Sequence, residues 1–106
     1  IVGLAHVAYI SNGNVVGLSK INRIVKYYAE RPQVQERLTI QIVRDLQKVL
    51  NTDDVACVID AKHLCVNSRG IKDINSSTVT SEFGGKFKKE KFKREFLDYI
   101  KFESEL

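Results

Sequence analysis

The stretch VACVIDAKHLCVNSRG, residues 55–70, constrains this chain more than any other. Residues 55–69 read as one long strand. Its first half, VACVI, is apolar at consecutive positions, and a strand apolar on both faces belongs inside the molecule. Its second half changes character. Positions two apart on a strand share a face, so His63, Cys65, Asn67 and Arg69 point the same way. They present a metal-capable pair, then an amide, then a fixed positive charge.

The rest of the chain is read around that strand. Residues 2–10 are of β-forming type, and SNGN at 11–14 is a turn. Ser19 can cap a helix in which Ile21, Ile24, Val25 and Tyr28 make an apolar stripe. Pro32 ends it and suits the first turn of a second helix over about residues 33–50. Val34, Leu38, Ile42, Leu46 and Val49 or Leu50 mark the expected buried face of that helix. NTDD at 51–54 breaks it. Residues 78–83, TVTSEF, form a further strand, Gly84-Gly85 a turn, and residues 89–101 a closing helix with Phe92, Phe96 and Ile100 on one side. The order β-α-α-β-β-α predicts an α+β fold, helices laid on an antiparallel sheet.

The chain has 106 residues, the size of one domain. It contains no methionine and opens on an apolar strand, so further sequence is expected upstream. Two cysteines make no disulfide framework, which points to a reduced, cytoplasmic protein. No apolar run reaches the ~20 residues of a membrane span. A net charge of +4 suits an anionic partner such as a nucleotide or nucleic acid.

Four patterns carry possible chemistry, and each has a plainer reading. His63 and Cys65 can supply two zinc ligands, or be a half-buried imidazole and a small apolar thiol. A closed site of His6, Cys57, His63 and Cys65 is geometrically poor, because Cys57 lies about 20 Å along the strand from Cys65 at ~3.3 Å per residue. Lys20 and Arg23, following GLS at a helix start, and Arg69 suit phosphate, or are solvated surface charge. In QVQE, 33–36, the Glu36 carboxylate can accept the N1–H and N2 amine of guanine, or simply oppose the helix dipole. KFKKEKFKRE, 86–95, mixes lysines with Phe87 and Phe92, but that spacing fits a buried helix face better than base stacking.

Taken together, GLSKINRIV at 17–25, RPQVQERLT at 31–39, the H-x-C and RG of 63–70, and STVTSEFGGKF at 77–87 resemble GTP cyclohydrolase I of the bacterial type. The resemblance runs from about Val7 to Ile100, with the motifs long and in order. It implies the T-fold, an antiparallel sheet with two antiparallel helices across it, plus a C-terminal helix, with residues 1–106 a single catalytic domain that is N-terminally incomplete. It implies conversion of GTP to 7,8-dihydroneopterin triphosphate and formate, the step that opens pterin synthesis for tetrahydrofolate. It implies toroidal assembly, commonly a homodecamer, with active sites at subunit boundaries, and neither nucleic acid nor membrane as partner. By the same resemblance Glu36 anchors guanine with Gln35 beside it, and Ser19 and Lys20 meet the sugar and triphosphate, Ser19 within the catalytic group. Arg23 and Arg69 hold triphosphate, Cys65 binds Zn2+ and His63 transfers protons near the purine ring.

Two departures qualify this. The family's Cys-Glu-His-His motif, which supplies the other zinc ligands just upstream of the first strand, is not in this sequence, and Cys65 alone cannot hold a catalytic zinc. Ser11 stands where the family usually has proline. The first departure leaves a second expectation open: a non-catalytic T-fold module that binds GTP or a pterin and regulates a full-length partner.

Overall fold

A computed structural model describes residues 2–18, 34–62 and 77–104. Strand β1, Val2–Ser11, turns back through Asn12 and Gly13 into β2, Asn14–Leu18. Both turn residues have positive φ, 50° and 85°. That is the mirror-image two-residue turn whose twist matches paired strands, and Asn-Gly is the pair that adopts it most readily. Strand β2 is a correction to the reading of the sequence, which recognised the turn but put no strand after it. NVVGL is short, holds a glycine, and leaves Val16 exposed, so it carries little of the alternation that marks a half-buried strand.

Helix α1, Gln35–Leu50, is followed by β3, Val55–Lys62, β4, Ser77–Phe83, a 3-10 turn at Gly85–Lys88, and helix α2, Glu90–Ser104. The sheet order is β2-β1-β3-β4, antiparallel throughout. Asn51 ends α1 in the left-handed conformation, φ 52°, which asparagine tolerates better than most residues. The expected helix through Ile21 and Tyr28 lies outside the described residues, as does the 63–69 half of the long strand.

The sheet is covered on both faces, which explains VACVI. On one face Val7, Val55, Cys57, Ile59 and Ala61 pack with Ile42, Val43 and Leu46 of α1. On the other, Ala8, Val15, Ala56 and Val58 pack with Phe87 and Phe96, whose rings meet edge to face with centroids 5.9 Å apart. Phe92 and Ile100 flank this second cluster, as their spacing with Phe96 predicts. On α1 the predicted stripe holds at Leu38, Ile42, Leu46 and Leu50. Val34 is a correction, 64% exposed, and of the two alternatives at the helix end Leu50 meets the core while Val49 is 71% exposed. Val34 has extended backbone and precedes the helix. Val49 stands in the last turn of α1, and Thr39 takes a buried place one turn before Val43.

The architecture is α+β and T-fold-like, with a closing C-terminal helix. It also has two distinct ends. At one lie the Asn12-Gly13 turn, the 51–54 turn and Gly84-Gly85. There Asp54 Oδ1 accepts the Lys86 N–H at 2.8 Å, and the Gly84 N–H donates to Val55 O at 2.8 Å. At the other, Val2, Lys62 and Ser77 stand side by side. Toward that end β2 runs to Leu18, and there α1 begins.

Candidate functional site

Two of the sequence-marked residues, Gln35 and Glu36, stand at this second end. Residue Lys62 immediately precedes His63, and Leu18 immediately precedes Ser19. Ser19, Lys20, Arg23, His63, Cys65 and Arg69 themselves lie outside the described residues. Strand β3 ends at Lys62 beside Ser77, at the end of the sheet where α1 begins, whereas β2 ends at Leu18 opposite Val7, in the middle of β1.

Gln35 and Glu36 are described in full. Glu36 is exposed in the first turn of α1, where the unpaired N–H groups and the helix dipole favour a negative charge. Gln35 turns the other way, into the sheet. Its Nε2 donates to Thr78 O at 2.9 Å, to Ile59 O at 3.3 Å and to Thr80 Oγ1 at 3.1 Å. A carbonyl oxygen only accepts, so the nitrogen of the amide must face the strands and its oxygen must face away. The N–H bonds of Gln35 are therefore spent on β3 and β4.

Two threonines close the arrangement. Thr39 Oγ1 donates to Gln35 O at 2.9 Å and lies 2.7 Å from Thr80 Oγ1. A hydroxyl has one hydrogen. That of Thr39 goes to a carbonyl, so Thr80 must donate to Thr39. Thr80 in turn accepts from Gln35. The result is a closed ring: Gln35 amide to Thr80 hydroxyl, Thr80 to Thr39, Thr39 back to the Gln35 carbonyl. Thr39 is 1% exposed, and hydrogen bonds in such a dry setting strengthen one another. The sequence reading gave Thr39 and Thr80 no role. Gln35 and Thr39, four apart on a helix, were a visible pair; Thr80, 45 residues from Gln35, was not.

Cys57 is fully buried under α1, and burial pushes its thiol up to about 12. His6 pairs with Val58 while Val7 pairs with Cys57, so His6 and Cys57 occupy opposite faces of the sheet. The four-residue site that strand geometry made poor is thus ruled out by register. Among the described residues no group of three or more His, Cys, Asp or Glu is placed to hold a metal ion. No described helix is long and apolar enough to cross a membrane. Asp60, another residue the sequence reading passed over, has Oδ1 buried with no hydrogen-bond partner among the described residues. It shares the α2 side of the sheet with its register partners Leu4 and Val79, both exposed.

Comparison with known proteins gives a consistent picture. The sequence profile of the family described as GTP cyclohydrolase I matches residues 1–101. The chain is 78% identical over 105 residues to a GTP cyclohydrolase 1 of Flavobacterium johnsoniae, a match covering 99% of this chain and 47% of that protein. It is 57% identical over 101 residues to one of Shewanella denitrificans, and 58% identical over 100 residues to one of Aeromonas salmonicida, each match covering 46% of the relative. The chain spans about half the length of these relatives.

Proposed function

The chain belongs to the GTP cyclohydrolase I family, and on that premise we propose that the protein carrying it is a zinc-dependent hydrolase that converts GTP to 7,8-dihydroneopterin triphosphate and formate, the first step of tetrahydrofolate biosynthesis. The observation that carries this reading is the family match over residues 1–101. The geometry supports it at Glu36, an exposed carboxylate at a helix start whose neighbour is locked to the sheet.

In this reading Glu36 accepts the N1–H and N2 amine of guanine, a charge-assisted pair of hydrogen bonds that selects guanine over adenine. Gln35 stands beside it. Ser19 and Lys20 bind the ribose and triphosphate, and Arg23 and Arg69 hold the triphosphate oxygens. His63 moves a proton at the purine ring nitrogen as the imidazole ring opens, a task suited to a group whose pKa lies near working pH. Cys65 supplies one ligand to zinc, the remaining ligands coming from outside this sequence. When bound, zinc supplies an activated water for hydrolysis at guanine C8. The protein works in the cytoplasm as a homo-oligomer, a decamer by family resemblance, with sites at subunit boundaries and without nucleic acid or membrane as partner.

Incubating the full-length, zinc-supplied protein with GTP tests the proposal. The expected result is consumption of GTP with a pterin product and formate in equal amounts. GTP bound but unconverted would favour a non-catalytic module that regulates a partner. Neither binding nor conversion would sink both readings.

A further inference from the structure

Helix α1 starts without the usual support. Val34 occupies the N-cap, and its side chain makes no capping hydrogen bond. Helix starts carry unpaired N–H groups and fray, and an uncapped first turn would do so most. Yet this is the turn that carries Glu36. A carboxylate that must meet two parallel donors on one edge of a guanine tolerates little displacement, since about 1 Å of misplacement can cost roughly 100-fold in rate.

What holds the turn is the ring of hydrogen bonds just behind it. Gln35 reaches Ile59 and Thr78 on two strands, and through Thr80 and Thr39 it returns to its own carbonyl. We propose that Gln35 is a positioning residue for guanine recognition: with Thr39 and Thr80 it fixes the first turn of α1 on β3 and β4, and so sets where the Glu36 carboxylate stands. The inference rests on Glu36 as the guanine anchor. It assigns the Gln35 side-chain N–H groups to the sheet and not to a ligand, because three acceptors already share its two hydrogens. It also makes Thr80, on the sheet, a determinant of specificity at a helix.

The test uses full-length holoenzyme and the ratio of kcat/KM for GTP to that for inosine triphosphate, which keeps N1–H but lacks the 2-amino group. The ratio reads the second hydrogen bond, hence the alignment of the carboxylate, and a uniform loss of active protein does not move it. Thr80→Val and Gln35→Leu are expected to lower the ratio about 10-fold or more, the worth of one charge-assisted hydrogen bond. Thr80→Ser, which keeps the hydroxyl, is expected to restore it to within about 3-fold, a change smaller than one such bond. Glu36→Gln is run beside them. A collapsed ratio in Glu36→Gln with Thr80→Val and Gln35→Leu unchanged overturns the positioning role alone. An unchanged ratio in Glu36→Gln overturns the guanine assignment, and this inference with it. Equal losses for both substrates in Thr80→Val would mean a structural role only and would also overturn it. Should Gln35→Leu fail to fold, Thr80→Val decides.

Discussion

At the scale of single residues, adjacent positions do opposite things. Gln35 faces the sheet and Glu36 faces solvent because a helix turns about 100° per residue. Removing the Glu36 carboxylate with Glu36→Ala should weaken GTP binding by about 1.5–3 kcal/mol, the worth of hydrogen bonds to a charged group, or roughly 10- to 150-fold. Calorimetric titration of the full-length protein checks this; unchanged affinity would remove Glu36 from the guanine site. Cys65→Ser in the same protein should abolish stoichiometric zinc, read by metal analysis, and full retention would refute that ligand assignment. Cys57 behaves in the opposite way. With its thiol pushed up from 9.0 to about 12, the folded state favours the protonated form. Its contribution to stability is complete below pH 9 and is lost as pH rises between about 9 and 12, where the unfolded chain ionises first. A thiol reagent at pH 8 should therefore label Cys57 only after denaturant is added. Rapid labelling in the native state, mapped by mass spectrometry, would contradict that burial.

At the scale of elements, what was legible in the sequence was what periodicity can carry. The apolar run at 55–59 announces β3, and Phe92, Phe96 and Ile100 announce the buried side of α2. Ile42 and Leu46 do the same for α1. Strand β2 was illegible because Val15 alone reaches the core beside exposed Asn14, Val16 and Gly17, and its glycine interrupts any alternation. The Gln35–Thr80 link was illegible for a different reason: it depends on how α1 lies across β4, which no local pattern encodes. The turn at Gly84-Gly85 was legible as a turn, but its strictness was not. Gly85 has φ +56°, and a side chain there would meet the Asp53 backbone at 2.8 Å. Gly85→Ala should lose about 1–3 kcal/mol of stability, the cost of a strained left-handed residue, with added crowding. The midpoint of urea denaturation checks it, and an unchanged midpoint would show that the turn relaxes.

At the scale of the whole molecule, the sheet separates two tasks. One end is closed by tight turns and by the Asp54–Lys86 link. The other gathers the end of β3 beside the start of β4 and the start of α1 with Glu36. In the proposed reaction the purine's C8 carbon leaves as formate. The most direct test is to supply the full-length, zinc-loaded protein with GTP carrying a carbon-13 label at C8 and to follow that label by NMR. The label should move from the purine into free formate, one for each GTP consumed. A label that stays in the purine, or passes into the pterin ring, would contradict the proposed reaction.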